Sequence, residues 1–592
     1  MISNKLLILL WLKTTRVTPF IMMSLSALRK RLALPRTSWQ LCLLAAIGGT
    51  ASALLVVLFT LSIEAIQSFY LSQKDDYTSL DALSRFDLPI VGGLIILLFA
   101  WLTGYQYLRT GIPFILHRLK VANGIIPLRN TLNQFFGSVV ALASGFSVGK
   151  EGPAVHLGAA CSSYIGNKLK LPFSTIRTLC ACGIAAGIAA CFNTPIAAVI
   201  FVMEVILREY KVHIFIPVMI AALIGSMITS SIFGPAHEFE YFNKISLTFH
   251  HYPTLILLGL VLGVLAYGFN RYLVLIIKYS SSIHIFPRIM LASFITGILG
   301  FFVPYAMGTD LSAITFALEN NLKVQLLIGL LFAKILMTIT ALGLGIPGGI
   351  IGPIIGIGAI AGTCVSVLVT GDLPNEHLAG DFALMGMAGF LAATLNAPLA
   401  ALLTVVELSN QLEVVVPAMI VIATACVFSG QFFNNRSIFV MQLEQQGLKY
   451  RKPPIEKSLQ RIGVLGVLQE NIKIYQQFCP EHVLTSLRKV ELLNHILVQT
   501  IADQSPPQSE GVSSENLFSW LKLEHNPTDS SVIIVPIILV PLQSRATLAE
   551  AYLALHEQRD GAVYIYENDP NEVLGIITFE QIRCYLLEGK TT

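Results

Sequence analysis

One short sequence run occurs twice in the chain, and each copy leads to a single acid. Residues 192–198 read Phe-Asn-Thr-Pro-Ile-Ala-Ala, and residues 395–401 read Leu-Asn-Ala-Pro-Leu-Ala-Ala. Glu204 and Glu407 follow the two copies at the same distance. An internal repeat of this kind indicates that the chain folds as two similar halves.

The repeat extends upstream to two runs that contain glycine and proline. Residues 149–153 read Gly-Lys-Glu-Gly-Pro and residues 349–353 read Gly-Ile-Ile-Gly-Pro, so the glycine and proline positions match. Each run is predicted to open a helix with its proline inside the first turn, where the missing N–H is tolerated. A duplicated bundle with such interruptions is typical of transporters whose broken helices meet at the bilayer midplane.

The composition places these repeats in a membrane. Of the 592 residues, 54% are hydrophobic and only 12% are charged, which is far more apolar than an ordinary globular protein. Five windows are nearly charge-free, and several of them are shorter than the ~20 residues of a perpendicular spanning helix, so long, tilted and partial helices are all expected. The windows are residues 41–63, 88–101, 214–232, 255–277 and 417–432.

Charged residues predict which side of the membrane the ends occupy. No acidic residue precedes Glu64, whereas Lys and Arg are frequent between positions 13 and 36, and Lys449, Arg451 and Lys452 follow the last apolar window. By the positive-inside rule, both termini are expected in the cytoplasm, with the bacterial inner membrane as the expected location. Residues 1–28 are predicted to form a surface helix or an overlong start rather than a cleaved signal peptide.

A composition shift near Gln442 divides the chain into a membrane part and a soluble part. We expect a cytosolic segment over residues 1–38, a transmembrane domain over 39–441 with halves at 39–235 and 250–441, and a cytosolic region over 442–592. The net charge of +4 gives no support for nucleic-acid binding, and the nine scattered cysteines suggest neither a metal site nor a disulfide framework. The predicted fold is therefore an all-α polytopic membrane protein followed by a small α/β domain.

The pair Lys150-Glu151 lies between apolar residues and is a candidate functional site, because charges inside a bilayer are expensive. Residues 110–113, 149–153 and 348–353 each combine glycine, proline and a helix start. If these starts converge, their free N–H groups and helix dipoles form an anion site without a full cation. Such a site suits a permeant ion, since a fixed cation would release it slowly. The Glu151 carboxylate would then compete with the anion as a tethered gate that couples anion, proton and voltage.

These motifs resemble, in order and spacing, the signature motifs of the CLC family of chloride channels and chloride/proton exchangers. The resemblance covers about residues 39–441 and implies a homodimer in which each subunit conducts anions through two inverted halves. It implies that Glu151 is the gating glutamate and that Thr110 supplies a hydroxyl to the central anion. The full set of implied anion-binding residues is Thr110, Gly111, Ile112, Gly149, Lys150, Ile350, Ile351 and Phe439.

The chain departs from the family pattern at four positions. Thr110 stands where serine is usual, Ile351 where phenylalanine is usual, and Phe439 aligns with a tyrosine whose hydroxyl is therefore lost. Val205 occupies the position at which exchangers commonly carry an internal proton acceptor. This substitution favours a passive, voltage-dependent chloride channel, with a chloride/proton antiporter as the alternative. Glu204 and Glu407 are predicted to be structural acids.

Residues 533–590 read as a strand-helix-strand-strand-helix unit and resemble a CBS domain. The partner repeat expected in residues 453–532 is predicted to be degenerate or absent. Adenine-nucleotide binding and a purely structural dimerisation role both remain open for this region, and no other cofactor is expected.

Residues 145–149 read Gly-Phe-Ser-Val-Gly and match the G-x-S-x-G pattern of serine hydrolases. That nucleophile elbow requires a preceding strand and a placed histidine, whereas this segment follows a predicted apolar helix. An intramembrane hydrolase is therefore a remote alternative, and no catalytic residue is assigned. The repeat alone also allows a carrier of cations or organic solutes, but the helix starts favour an anion.

Overall fold

The computed structural model forms two compact units. One, which we call the membrane unit, contains residues 41–167 and 176–450. The other, which we call the soluble unit, contains residues 1–40, 168–175 and 451–592. The structure describes residues 27–34, 37–105, 111–234, 247, 249–309, 311–318, 324–370, 376–448, 459–460, 462–475, 495–499, 518–525, 532–556 and 561–588.

Among the residues that the structure describes, the first half of the membrane unit contains eight α-helices and a π-helical extension. Long helices alternate with short ones, because glycine, proline and polar residues interrupt the apolar windows. The elements are α1 (Trp39–Gln67), α2 (Ala82–Thr103), α3 (Gly111–Val121), α4 (Leu128–Ala143), α5 (Glu151–Lys168), α6 (Phe173–Phe192), α7 (Pro195–Phe201) with its extension Val202–Leu207, and α8 (Val212–Phe233).

The second half follows a similar alternation. Its elements are α9 (Tyr252–Ser280), α10 (Ile285–Phe302), α11 (Leu311–Leu318), α12 (Val324–Leu344), α13 (Ile351–Thr370), α14 (Glu376–Leu395), α15 (Pro398–Ser409), α16 (Val415–Phe433) and α17 (Ile438–Gln445). Within the described part of the chain, ten segments are long and apolar enough to cross a membrane. The predicted all-α polytopic fold is confirmed.

Glycines allow two equivalent helix pairs to pack closely. An added Cβ at Gly158 on α5 would lie 2.1 Å from the carbonyl oxygen of Gly183 on α6. In the second half, an added Cβ at Gly386 on α14 would lie 2.1 Å from the carbonyl oxygen of Gly358 on α13. Small residues permit this close approach between membrane helices. The two pairs form corresponding parts of the buried centre.

The soluble unit contains two sheets. In one, β5 (Val540–Gln543) pairs in parallel with β6 (Ala562–Tyr566), which pairs in antiparallel fashion with β7 (Val573–Thr578). Helix α18 (Leu548–Leu555) connects β5 to β6, and α19 (Phe579–Glu588) follows β7. The predicted strand-helix-strand-strand-helix order is present. It begins at Val540, however, because residues 533–538 belong to the other sheet.

The second sheet corrects the expectation that residues 453–532 contain little of a partner repeat. Its order is β1 (Ile472–Tyr475), β2 (His495–Gln499), β3 (Phe518–His525) and β4 (Val532–Ile538). The pairing of β1 with β2 is parallel and that of β2 with β3 is antiparallel, as in the β5–β7 sheet. Residues 476–494 and 500–517 separate the first three strands, and these long connections obscure the strand order in the sequence.

The described residues that precede α1 fall within the soluble unit. A short helix over residues 27–33 carries Arg29, which forms an ion pair with Glu567. The backbone N–H of Gly463 donates to the carbonyl of Ala33 at 3.0 Å. Residues 1–26, and with them most of the predicted surface helix, lie outside the described residues.

Candidate anion-binding site

The glycine-containing loops of the two halves meet directly. The Gly149 N–H donates to the Gly349 carbonyl at 2.8 Å, and the Gly349 N–H donates to the Gly149 carbonyl at 2.6 Å. An added Cβ at Gly349 would lie 2.5 Å from the backbone nitrogen of Gly152. Only glycine permits such backbone proximity. This bridge brings together the starts of α5 and α13, whose first N–H groups have no partner within their own helices.

The Glu151 carboxylate lies against this bridge. Glu151 is the first residue of α5 and is 1% exposed. Its Oε2 atom would lie 2.0 Å from an added Cβ at Gly149 and 2.8 Å from one at Gly349. The carboxylate therefore occupies the junction of the two helix starts, where their dipoles favour a negative charge.

A cavity of about 330 Å³, which we call the Glu151 cavity, opens on one side of the bridge. Five charged residues line this cavity, whereas one lines the other cavity of the site, described below. An ion pair joins two of the five, Lys74 and Glu64, at 2.7 Å. The Lys150 ammonium lies 5.4 Å from the centre of the Phe192 ring, a cation–π arrangement. The charged residues that line this cavity are Glu64, Lys74, Asp75, Lys150 and Glu151.

A smaller cavity of about 70 Å³, which we call the Phe439 cavity, is lined by Gly152, Gly348 and Gly349 of the two loops, together with residues from other elements. It brings together Gly111, Ile112, Ile350 and Phe439, four of the predicted anion-binding residues. Ile351 is 5% exposed at the start of α13 but does not line the cavity, and Thr110 lies outside the described residues. The phenylalanine ring offers no hydroxyl donor here.

Consecutive residues line the two cavities. Glu151 lines the Glu151 cavity, whereas Gly152 lines the Phe439 cavity. The Glu151 carboxylate therefore lies next in sequence to a residue that lines the other cavity.

Arg288 is a residue of the site that the sequence reasoning missed. It is on α10, is 2% exposed and lines the Phe439 cavity. Arg288 therefore places a full cation at this cavity, which the expected anion site, built from helix starts alone, did not include. An arginine within an otherwise apolar span is a functional candidate by default, and that signal in the sequence could have identified it.

The two repeated acids cap helices of opposite halves. Glu204 accepts from the backbone N–H groups of Leu399 at 3.3 Å and Ala400 at 2.7 Å. Glu407 accepts from Ile196 at 2.9 Å and from the next residue, Ala197, at 2.7 Å. Carboxylates at helix starts satisfy free N–H groups and interact favourably with the dipole. Each half thus supplies the cap of the other.

The position that would hold an internal proton acceptor is apolar. Val205 is 2% exposed, and it lies in the extension of α7 beside Glu204. Its side chain cannot bind a proton.

The geometry around Ser147 differs from that of a nucleophile elbow. The segment that precedes the serine is helix α4, and its hydroxyl lies 2.9 Å from the Thr338 hydroxyl. His156 instead stacks on Phe114, with ring centres 5.6 Å apart. The strand and the histidine base of a nucleophile elbow are therefore absent from this described part of the chain.

A family model described as voltage gated chloride channel matches residues 95–430, more than half of the chain. The chain belongs to the CLC family. Its membership agrees with the order of the motifs, with the duplicated halves and with the carboxylate at their junction.

Individual CLC proteins resemble the chain at identities of 18–28%. The H(+)/Cl(-) exchange transporter ClcA of Citrobacter koseri is 28% identical over 429 residues, covering 70% of this chain and 90% of that protein. A slow cyanobacterial Cl-/H+ antiporter has a TM-score of 0.61 at 22% identity, covering 69% of this chain and 97% of its own. A eukaryotic CLC transporter has a TM-score of 0.56 at 18% identity, covering 92% of this chain and 98% of its own.

Proposed function

We propose that this anion transporter exchanges chloride for protons across the membrane. The observation that carries the proposal is the Glu151 carboxylate at the boundary of the two cavities, where one group meets both an anion and a proton. The relatives described as exchangers support exchange over the passive, voltage-dependent channel that Val205 favoured.

In the proposed mechanism, the charged Glu151 side chain occupies the junction of the helix starts and excludes an anion. Protonation removes its charge, the side chain moves into the Glu151 cavity, and chloride takes its place. The N–H groups at the starts of α5 and α13 then stabilise the anion. The proton then leaves on the side opposite to the one from which it entered. The recharged carboxylate returns and expels the chloride toward the side from which the proton came, so each cycle moves chloride and protons in opposite directions.

Because Val205 cannot carry a proton, protons from the cytoplasmic side must reach Glu151 by a route that does not include a carboxylate at position 205. We propose that they pass through the Phe439 cavity, which ends at Gly152, the residue next to Glu151. Arg288 raises the local concentration of anions in the same cavity, because a buried cation attracts them strongly in a low dielectric. Phe439 contributes only shape.

We propose further that the protein is a homodimer in the bacterial inner membrane with both termini in the cytoplasm. With a cytoplasmic N-terminus, α1 crosses the membrane and the loop after it lies on the outer side. This loop contributes Lys74 and Asp75 to the Glu151 cavity, so the cavity faces the outer solution. Adenine-nucleotide binding by the two sheets of the soluble unit stays a separate proposal. Binding of labelled ATP to the purified full chain tests it directly.

Purified protein in chloride-loaded liposomes tests the exchange. A chloride gradient is imposed, the membrane potential is clamped with an ionophore, and external pH is followed together with chloride efflux. Protons driven uphill by chloride support the exchanger. Chloride movement without protons identifies a channel and overturns the proposal.

A further inference from the structure

Asp75 is a second buried acid of the Glu151 cavity, and it comes from a loop that the transport motifs do not include. It is 8% exposed, with a left-handed backbone at φ 59° in the segment between α1 and α2. Its carboxylate accepts from the Thr309 backbone N–H at 2.9 Å and from the Thr309 hydroxyl at 2.5 Å. The Ser312 hydroxyl donates to its carbonyl at 2.9 Å. The carboxylate is therefore held in place by the segment that follows α10.

Two cations act on this carboxylate from different elements. Lys334 of α12 is fully buried, and its ammonium donates to the carbonyls of Ala306 at 3.3 Å and Gly308 at 3.1 Å. Lys150 acts from the loop before α5. Both cations favour the charged form of Asp75.

The remaining titratable groups near Asp75 are on its own loop and at the cavity wall. The Tyr77 hydroxyl donates to the Leu142 carbonyl at 2.8 Å, and the Tyr70 hydroxyl donates to the Ala143 carbonyl. The Glu64–Lys74 ion pair lines the same cavity. The tyrosines remain neutral at ordinary pH because burial and the charge of Asp75 raise the pKa of both hydroxyls.

Burial raises the pKa of Asp75 to about 6, and the Thr309 hydrogen bonds and the two lysines only partly offset this effect. The side chain is therefore charged above about pH 6 and neutral below it. In contrast to an exposed aspartate, it changes charge within the pH range that an outer solution can reach.

The segment that binds Asp75 also contacts the loop that leads to Glu151. The Gly308 N–H donates to the Gly145 carbonyl at 3.0 Å, and Gly145 begins the run that ends at the bridge. Asp75 and Glu151 line one cavity, so a charge on Asp75 acts on any anion that enters or leaves there.

We propose that Asp75 is a second proton-binding residue of the Glu151 cavity and that its negative charge opposes anion passage between this cavity and the outer solution. The proposal rests on the proposed function for the direction in which the cavity faces. It assigns the external pH dependence of anion flux to two carboxylates rather than one.

The test uses the Glu151→Gln variant, which removes the first carboxylate and with it the proton coupling. Chloride flux through this variant in liposomes is measured while external pH is varied from 4.5 to 8. We expect flux to rise roughly fivefold on acidification, an effect of about 1 kcal/mol, with a midpoint near pH 6. The double variant Glu151→Gln/Asp75→Asn is expected to keep the high flux at every pH.

Thr309→Val in the Glu151→Gln background is the matched control for a purely structural role. It removes a hydrogen bond that favours the charged carboxylate, so the midpoint should move to higher pH while the pH response remains. A pH profile that survives Asp75→Asn overturns the proposal, and so does an identical profile for Thr309→Val. Proton coupling that persists in Glu151→Gln would instead contradict the proposed function and leave the Asp75 profile readable.

Discussion

The two halves of the membrane unit share one scaffold. Gly149 and Gly349 hydrogen-bond to each other at the starts of corresponding helices, and the repeated acids cap helices across the halves. Asn193 and Asn396 also adopt the same left-handed backbone, with φ 57° and 54°, immediately before those capped helices. Reciprocal contacts of this kind are those that an approximate two-fold relationship produces.

The chemistry of the halves differs where the scaffold is the same. The first half presents Lys150 and Glu151 between its glycines, whereas the second presents Ile350 and Ile351. Duplication therefore supplied two equivalent helix starts, and only the first carries a titratable side chain, the proposed gate. The comparison predicts that substitutions in the scaffold act similarly in both halves, while substitutions in the charged pair act in one.

The largest expected effect comes from removing the charge that distinguishes the halves. Glu151→Gln cannot lose a proton, so we expect complete loss of proton coupling while chloride flux continues. Ile351→Gln, at the corresponding position, should retain coupling because it removes no titratable group. Simultaneous recording of chloride and proton flux in liposomes measures both. Equal coupling in the two variants would contradict the assignment of the gate.

A second substitution tests whether the bridge is needed equally from both sides. An added methyl at Gly349 would meet backbone at 2.5 Å, and Gly152, on the other side, would meet the Gly349 Cα at 2.7 Å. We expect Gly349→Ala and Gly152→Ala each to destabilise the fold by about 3 kcal/mol, since backbone cannot move aside cheaply. Thermal unfolding in detergent measures the loss.

Gly268→Ala and Gly329→Ala are the matched controls for the bridge. An added Cβ at either position would meet no atom within 4 Å, although both glycines are within long helices. These variants should unfold at or above the temperature of the unmodified protein, because alanine is the better helix former. Similar destabilisation at all four positions would show that steric contact at the bridge is not the cause.

Arg288 adds a second asymmetry, since it places a cation in the cavity opposite Glu151. Arg288→Gln is expected to raise the chloride concentration for half-maximal flux about tenfold, equivalent to about 1.4 kcal/mol, with coupling intact. Arg288→Lys keeps the charge and should retain most of the affinity. Chloride flux is measured while the chloride concentration is varied in the solution that the Phe439 cavity faces, and this distinguishes Arg288→Gln from Arg288→Lys. An unchanged concentration dependence in Arg288→Gln would remove this residue from the anion path.

Local patterns made much of this arrangement predictable. The echo of residues 192–198 in 395–401 indicated the duplicated halves, and the pair Lys150-Glu151 stood out because a bilayer disfavours charge. The surroundings of Asp75 and Arg288 were not predictable. Thr309 and Lys334 are far from Asp75 in the sequence, as Phe439 is from Arg288, and only the tertiary fold brings them together. The boundary of the β5–β7 sheet was misplaced for a related reason: residues 532–543 are almost continuously apolar, and the break at Leu539 has no turn signal.

The smallest expected effects concern the helix-capping acids Glu204 and Glu407. The comparison of the two halves predicts that loss of either acid destabilises the protein by the same amount. Glu204→Gln and Glu407→Gln each keep one acceptor oxygen but lose the charge that interacts with the opposite helix start. We expect each to lower the free energy of unfolding by about 1 kcal/mol, with coupling preserved, and the double variant to lose about the sum. Thermal unfolding of the two single variants under one condition measures this directly. If Glu204→Gln reduced proton flux while Glu407→Gln did not, Glu204 would take part in the proton route from the cytoplasmic side, next to Val205. The two capping acids would then not be equivalent in function.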